Sequence, residues 1–298
     1  MKIGIIGAGA FGSALAVAYG QKGLDVVLWA RAKVFERSYP PSVTRVQSLQ
    51  ALKGAEAILL VLPAQQTAGF LAQNPLPPAP LVLCAKGIDA KSGLLQSEIA
   101  TAVSDAPISI LTGPGFAGEI AAGLPTALTL AGGSAAQQAL LSTPRLRLYR
   151  SDDLIGAQAG GALKNVIALA CGMAIGARLG ESARAALLTR GFAEMQRLGV
   201  ALGAKAETFQ GLSGLGDLAL TCASAQSRNF AQGLAFGRGS GQSGGTVEGL
   251  ATAEAAAQLA GKLGIEAPIT GAVAEVVAGK ATVADAMEML LARPLKEE

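Results

Sequence analysis

The stretch that decides the fold is MKIGIIGAGAFG, residues 1–12. Its apolar run from Lys2 to Ile6 predicts a short buried β-strand, and SALAVAYG, residues 13–20, continues it as a helix. The glycine-rich turn between them is the start of a βαβ pattern, which is the context in which a glycine fingerprint has functional meaning.

Gly7, Gly9 and Gly12 have the GxGxxG spacing of a dinucleotide-binding turn. In such a turn the first glycine permits the sharp bend, the second lets the backbone approach a pyrophosphate, and the third lets the helix pack closely. The pyrophosphate would accept hydrogen bonds from free N–H groups at the helix start, where the helix dipole favours an anion. We therefore predict a dinucleotide site, although an ordinary turn can have the same spacing.

The second predicted strand, Asp25 to Trp29, is followed by Arg31, with Lys33 and Arg37 close behind. NAD-preferring sites usually place an acidic residue here to bind the ribose 2′-hydroxyl. A guanidinium instead suits a 2′-phosphate, because its planar fork binds two phosphate oxygens. We predict NADP as the favoured cofactor, or tolerance of both NADP and NAD; a solvated loop with ordinary surface charge is the alternative.

Composition limits the class of protein. With 298 residues, 51% of them hydrophobic, the chain is long enough for two domains, and a net charge of +3 does not indicate nucleic-acid binding.

Cys84, Cys171 and Cys222 are dispersed without metal-ligand spacing, as expected of reduced thiols in a cytoplasmic protein. No metal site is predicted. The chain has no histidine, so a catalytic proton must pass through lysine, a carboxylate, tyrosine, cysteine or water.

No secretory signal is predicted, because the glycine-punctuated start lacks an apolar core and a cleavage site. The most apolar helical stretch, Leu154 to Gly176, carries Lys164 and Asn165 at its centre. A charge at that position argues against a membrane span.

Apolar strands alternate with helices as far as about residue 150, which predicts a doubly wound, mostly parallel sheet. The further strands are expected at Ala57 to Leu62, Leu81 to Ala85, Ile108 to Thr112, Thr126 to Leu130 and Leu146 to Tyr149. Ligands collect at the carboxyl ends of such strands. That edge would gather Gly7 to Gly12, Pro63, Lys86-Gly87 and Gly113 to Ala117.

After Ser151 the pattern becomes helical and rich in alanine. We predict a Rossmann-type α/β domain over residues 1–151 and an all-helical substrate domain over residues 152–298. The helices are expected at Asp153 to Ala177, Ser182 to Leu202, Glu248 to Leu263, Ile269 to Ala278 and Val283 to Leu291.

Lys164 is the leading catalytic candidate. Gly160 and Gly161 leave one face of its helix without side chains, so that another group can approach. Burial of an amine lowers its pKa from about 10.4, which suits proton exchange at neutral pH. A lysine that reaches the surface is the alternative. Asp217, in GLSGLGDLALTC, could orient such a lysine, or could simply begin a helix.

Two further groups could bind an anion. Ser227, Arg228 and Asn229 bring together a hydroxyl, a guanidinium and an amide, which suit a phosphate but also a polar helix start. Lys86 follows a strand at the ligand edge and is a second candidate for contact with a phosphate or an alkoxide.

Together these segments resemble the bacterial NAD(P)-dependent sn-glycerol-3-phosphate dehydrogenases over nearly the whole chain. The resemblance depends on an ordered set of motifs: GAGAFGSALA at Gly7, AKG at Ala85, GPGFAGEIAAGLPTA at Gly113, GGALKNVIALA at Gly160, TRGFAEM at Thr189, GLGDLALTC at Gly214, QSRN at Gln226 and VEG at Val247. It implies interconversion of dihydroxyacetone phosphate and sn-glycerol 3-phosphate, with glycerol 3-phosphate made for phospholipid synthesis. Homodimers are common among such enzymes, but no interface can be identified from the sequence.

By the same resemblance, Lys164 would be the general base for the C2 hydroxyl, supported by Asp217. The substrate would be surrounded by Lys86, Gly113, Gly115, Lys164, Asp217, Ser227, Arg228 and Asn229. The cofactor-contacting positions would be Ala10, Phe11, Arg31, Lys86, Ala117, Arg228 and Glu248, in addition to the glycines Gly7, Gly9 and Gly12.

The sequence departs from the family pattern at four places. Gly115 stands where threonine or serine is usual, and Gly118 replaces a common lysine. The stretches Ser38 to Ser48 and Gly237 to Gly245 are short. These changes bear on substrate affinity and on closure of the loop over the cofactor, and leave the expected reaction unchanged.

Two other functions compete with this one. A ketopantoate-type or 3-hydroxyacid reductase would also use a lysine, but for a carboxylate substrate, and the Ser227-Arg228-Asn229 cluster with Asp217 favours a phosphate. A non-catalytic dinucleotide sensor would need the glycine turn but neither Lys164 nor Asp217.

Overall fold

The computed structural model describes residues 1–31, 38–241 and 247–294. Its centre is one eight-stranded sheet with the order β3-β2-β1-β4-β5-β6-β7-β8. The strands are β1 Lys2–Ile6, β2 Asp25–Trp29, β3 Val43–Val46, β4 Ala57–Leu60, β5 Leu81–Leu83, β6 Ile108–Thr112, β7 Thr126–Ala131 and β8 Leu146–Ser151.

The six strands from β3 to β6 run parallel, whereas β7 pairs antiparallel with β6 and parallel with β8. The sheet is therefore doubly wound and mostly parallel, as predicted. β1 lies between β2 and β4, so the end of β1 is the topological switch point where ligands bind in such sheets.

Twelve α-helices are found among the described residues. Those of the sheet-containing part are α1 Ala10–Gln21, α2 Ala64–Gln73, α3 Gln96–Thr101, α4 Ala117–Ala121 and α5 Ala135–Leu141. Those that follow are α6 Leu154–Gly176, α7 Glu181–Ala201, α8 Asp217–Cys222, α9 Arg228–Gly237, α10 Glu248–Leu263, α11 Pro268–Val277 and α12 Val283–Leu291. The predicted helical second half is confirmed.

α6 is the central helix of the second half. It is long and apolar enough to cross a membrane, but 89% of its apolar window is buried inside the protein, so it is a core helix. Gly172 and Gly176 face the backbone of α9 so closely that a Cβ on either would collide with a carbonyl oxygen. Small residues let the two helix backbones pack together here, and this close packing explains the apolar, glycine-rich sequence.

Three elements were missed in the sequence. β3 is short and half exposed, so it lacks the buried apolar run that identified the other strands. The short helices α8 and α9 follow polar or glycine-rich turns. Lys33, Arg37 and part of the Gly237 to Gly245 loop lie outside the described residues.

Candidate active site

The glycine turn joins β1 to α1 at the carboxyl edge of the sheet. Gly7 has a φ of +112°, which favours glycine, and a Cβ on it would collide with the carbonyl of Val61. A Cβ on Gly12 would collide with the carbonyl of Gly7, so Gly12 lets α1 pack against the turn itself.

Gly9 is different, because nothing lies within 4 Å of the position that its Cβ would occupy. It is the N-cap of α1 and supplies no side-chain partner to the N–H groups of the first turn. Ala10 and Phe11 begin that turn. Open space in front of free N–H groups fits a bound pyrophosphate, so these residues are suited to a dinucleotide.

Arg31 lies just beyond the end of β2 and is exposed. Its Nη2 atom donates a hydrogen bond of 3.0 Å to Oε1 of Gln66 on α2. This hydrogen bond holds the guanidinium at the ligand edge of the sheet.

Lys164 is buried inside α6, with 6% of its surface exposed. Its Nζ atom donates to Oδ1 of Asp217 at 2.9 Å and to the hydroxyl of Thr221 at 2.6 Å. Asp217 is the first residue of α8 and is 1% exposed, so the pair is shielded from bulk water. The alternative of a lysine that reaches the surface is excluded.

Lys86 lies on the other side of the same carboxylate. Its Nζ atom is 2.7 Å from Oδ2 of Asp217 and also donates to the carbonyl of Gly113 at 2.9 Å. Its backbone is held from two sides, since its N–H donates to Glu248 at 3.3 Å and its carbonyl accepts from Asn165 at 2.9 Å. Lys86 therefore connects the sheet edge with the helical half.

Burial and the neighbouring charges set the protonation states of Lys164 and Asp217. Burial lowers the pKa of Lys164, and the neighbouring Lys86 ammonium lowers it further, while attraction by Asp217 opposes the shift. Burial alone would raise the pKa of Asp217, but the two lysines outweigh it and keep that pKa below its usual value. The result is an ionised carboxylate beside an amine that releases its proton more readily than an ordinary lysine.

Glu248 begins α10 and reaches back to the sheet edge. Its Oε1 atom accepts from the N–H of Ala64 at 3.2 Å, and its Oε2 atom accepts from that of Lys86. Burial raises the pKa of this carboxyl, against the opposing effects of the Ala64 hydrogen bond and the Arg228 charge. Glu248 thus links α10, α2 and the end of β5.

The Ser227-Arg228-Asn229 cluster has a structural role as well. The Ser227 hydroxyl caps α9 by accepting from the N–H of Phe230 at 3.2 Å. The amide of Asn229 donates to Asn165 at 2.8 Å and accepts from the N–H of Gly249 at 2.9 Å. Arg228 itself is exposed and is near enough to Glu248 to affect its pKa.

The segment after β6 approaches the same edge. Gly113 has a φ of +133°, and its carbonyl receives the Lys86 hydrogen bond. A Cβ on Gly115 would lie 3.0 Å from Cγ2 of Thr126 and 3.2 Å from Cδ1 of Ile120. These neighbouring side chains would have to shift by a few tenths of an ångström to admit a serine or threonine at Gly115. Ala117 begins α4.

Two residues of this site were not predicted from the sequence, Thr221 and Asn165. Thr221 follows Asp217 by four residues on a helix, so both face Lys164, and that spacing was the available signal. Asn165 was noted only as a polar residue in an apolar helix, yet it contacts both Lys86 and Asn229.

Among the described residues, no group of three or more metal-ligating side chains is found.

Comparison with known proteins identifies related sequences over both halves. Residues 2–138 match the NAD-dependent glycerol-3-phosphate dehydrogenase N-terminus, and residues 153–288 match the corresponding C-terminus. The chain is 52% identical to glycerol-3-phosphate dehydrogenase [NAD(P)+] of Paracoccus denitrificans (strain Pd 1222), with 100% of both chains covered.

Solved structures agree. Glycerol-3-phosphate dehydrogenase from Coxiella burnetii is 34% identical and superimposes with a TM-score of 0.91, over 98% of this chain and 99% of that one. A ketopantoate reductase from Ralstonia eutropha JMP134 is 17% identical with a TM-score of 0.62, over 97% of this chain and 100% of that one. At that identity the likeness shows a common fold alone.

Proposed function

Because the chain belongs to the NAD-dependent glycerol-3-phosphate dehydrogenase family and is an oxidoreductase that interconverts dihydroxyacetone phosphate and sn-glycerol 3-phosphate with NAD or NADP, we propose that Lys164 is its proton relay. The observation that carries this proposal is the burial of Lys164 against Asp217 at 2.9 Å, with Lys86 on the other carboxylate oxygen.

When bound, the nicotinamide accepts or supplies the hydride. In the oxidising direction, neutral Nζ of Lys164 takes the proton from the C2 hydroxyl. In the reducing direction, the Lys164 ammonium returns a proton to the developing alkoxide. A lowered pKa favours the first role, and the Asp217 carboxylate stabilises the ammonium required for the second.

Asp217 and Lys86 orient the relay and the substrate. Asp217 holds Lys164 and Lys86 on opposite carboxylate oxygens, so the two amines keep a fixed separation. The Lys86 amine, more exposed than that of Lys164, can contact the substrate oxygens while it remains bonded to Asp217. Asp217 can hold both amines because each of its two carboxylate oxygens accepts a charge-assisted hydrogen bond.

The substrate phosphate would be bound at the start of α9. Arg228 supplies an exposed guanidinium there. Ser227 accepts a hydrogen bond from its helix, so its O–H remains a donor, and Asn229 has a second amide hydrogen. With the backbone of Gly113 and Gly115, these groups would clamp the remote end of the substrate and hold C2 in place.

The cofactor would lie along the edge that begins at the glycine turn. We propose contacts from Gly7, Gly9, Ala10, Phe11, Gly12, Arg31, Lys86, Ala117, Arg228 and Glu248. Arg31 favours NADP, since its exposed guanidinium can bind a 2′-phosphate.

Several broader assignments are proposals of the same kind. The division into residues 1–151 and 152–298 is supported by β8, which ends at Ser151, and by α6, which begins at Leu154. We further propose a cytoplasmic, homodimeric enzyme that supplies glycerol 3-phosphate for phospholipid synthesis.

The direct test is the loss of NADPH absorbance when dihydroxyacetone phosphate is added to the purified protein, with NADH in parallel. Rapid oxidation is expected, faster with NADPH. A folded protein that binds NADPH but oxidises neither cofactor would overturn the assignment and redirect the search to carbonyl substrates that carry a carboxylate.

A further inference from the structure

The chain immediately before Asp217 forms an unusual turn. Residues Leu212–Gly216 are π-helical, and the N–H of Gly216 donates to the carbonyl of Gly211, five residues earlier, at 3.1 Å. π-helical turns are rare and frequently occur at functional sites. This one ends directly at the carboxylate that binds both lysines.

The π-helical turn packs on α6 at Gly160. A Cβ on Gly160 would lie 2.6 Å from the carbonyl oxygen of Ser213 and 3.3 Å from Cα of Gly214. Both are backbone atoms, so no side chain can rotate away to make room. Gly160 is therefore required for this close approach. The group that approaches this face of α6 is the backbone of the π-helical turn and not a ligand.

Gly160 and Lys164 are four residues apart on α6, so they lie on the same face one turn apart. Asp217 lies four residues after Ser213, at the end of the π-helical turn. One backbone contact thus sets the position of the turn relative to the helix that carries Lys164. The distance between Lys164 and Asp217 depends on that contact.

We propose that Gly160 is a positioning residue for the reaction: by admitting the π-helical turn against α6, it sets the distance between Asp217 and Lys164. The inference rests on the proposed role of Lys164. A methyl group at position 160 would push the turn outward by several tenths of an ångström and carry Asp217 away from the lysine.

The test variant is Gly160→Ala, and Gly176→Ala is its matched control. Gly176 is the last residue of the same helix, about three turns beyond Lys164. A Cβ there also collides with a backbone carbonyl, that of Leu234, which lies six residues beyond the Arg228 end of α9. Misplacement of a reacting group by about 1 Å can cost about 100-fold in rate, so for a shift of several tenths of an ångström we expect a kcat loss of about tenfold in Gly160→Ala. The control should retain a kcat close to that of the wild type, and both should bind NADPH normally.

The pH profile separates positioning from general destabilisation. The titratable and charged groups that face Lys164 are Asp217 and Cys222 on α8 and Lys86 after β5. Moving Asp217 away removes an attraction that raises the pKa of Lys164. The acid limb of kcat/KM for glycerol 3-phosphate oxidation should therefore shift to lower pH in Gly160→Ala and stay unchanged in Gly176→Ala.

A second variant serves if Gly160→Ala does not fold. Asp217→Glu keeps the charge but lengthens the side chain by one methylene, and a turn fixed against Gly160 cannot retreat to accommodate it. We expect a kcat loss of about 100-fold in this variant. A wild-type kcat in Asp217→Glu would overturn the inference. So would an identical kcat and an identical acid limb in Gly160→Ala and Gly176→Ala. Failure of the relay itself is distinguished by Lys164→Ala, which would then remain active.

Discussion

The Nζ atom of Lys164 lies 2.9 Å from Oδ1 of Asp217, and both side chains are buried. The two residues are 53 positions apart, one inside the core helix and one at the start of a short helix. A buried ion pair is weak evidence for stability, because desolvation offsets much of the attraction. Lys86 joins the pair to the edge of the sheet that also carries the glycine turn, and this placement suits a proton relay.

Replacement of Lys164 by alanine should remove most of kcat and leave NADPH binding nearly unchanged. General acid–base catalysis contributes about 100- to 10,000-fold, and no histidine is present to replace the lysine. Steady-state kinetics and NADPH titration check this. Lys205→Ala is the control, since that amine is exposed and pairs with the exposed Asp152. Near-normal turnover in Lys164→Ala would defeat the relay.

Replacement of Arg31 by aspartate should weaken NADPH relative to NADH. A hydrogen bond to a charged group is worth about 1.5–3 kcal/mol. The ratio of the two kcat/KM values should therefore change by about tenfold or more. Gln66→Leu removes the partner at 3.0 Å but keeps the guanidinium, so it should have a smaller effect. An unchanged ratio in Arg31→Asp would mean that Arg31 does not bind the 2′-phosphate.

Replacement of Asp217 by asparagine should destabilise the folded protein as well as impair catalysis. It leaves Lys164 and Lys86 without their shared carboxylate, and removing one partner of a buried pair costs about 3–5 kcal/mol. Urea unfolding at neutral pH measures the difference. Asp152→Asn, which affects an exposed pair, should change the free energy of unfolding little. Equal stability of the two variants would contradict the prediction.

The cost of Asp217→Asn should also depend on pH. The pKa of Asp217 is lower in the folded protein than in the unfolded chain, so its contribution is present above the unfolded pKa. That contribution is lost as the pH falls through the folded pKa. The wild-type and variant proteins should thus converge in stability towards acid pH, and a constant difference across that range would show that the Asp217 charge is not its source.

Gly115→Ser, which adds a hydroxymethyl group, should destabilise the protein by about 1–3 kcal/mol, as expected for overpacking. Thr126 and Ile120 fill the space beside Gly115, whereas nothing lies within 4 Å of the Cβ position on Gly118. Gly118→Ser is therefore the matched control and should have little effect. Adding Thr126→Ala to Gly115→Ser should recover part of the stability in denaturant titrations; no recovery would place the strain elsewhere.

Much of the fold could be predicted because its signals are local. Gly7 and the apolar run before it indicate a strand, a sharp turn and a helix within 21 residues. The long apolar helix around Lys164 was likewise evident from its composition. β3 and α8 were not, because β3 is half exposed and α8 is only 6 residues long, so neither has a burial pattern strong enough to detect.

The candidate site was predictable only as a set of separate residues. Lys86, Lys164 and Asp217 were identified from their motifs, but nothing in those motifs shows that one carboxylate binds both amines. Thr221 lies in an apolar run, and its contact with Lys164 at 2.6 Å exists only because α8 packs on α6.

The sequence by itself determined the glycine turn, the alternation of strands and helices, and the residue types available for proton transfer. These follow from short-range backbone sterics and apolar periodicity. Only the tertiary structure decided that Asp217 meets Lys164 and Lys86, the latter 131 positions away. The physical reason is that this meeting depends on backbone packing between distant segments, at Gly160 above all, where the absence of a single Cβ lets the two parts of the site come together.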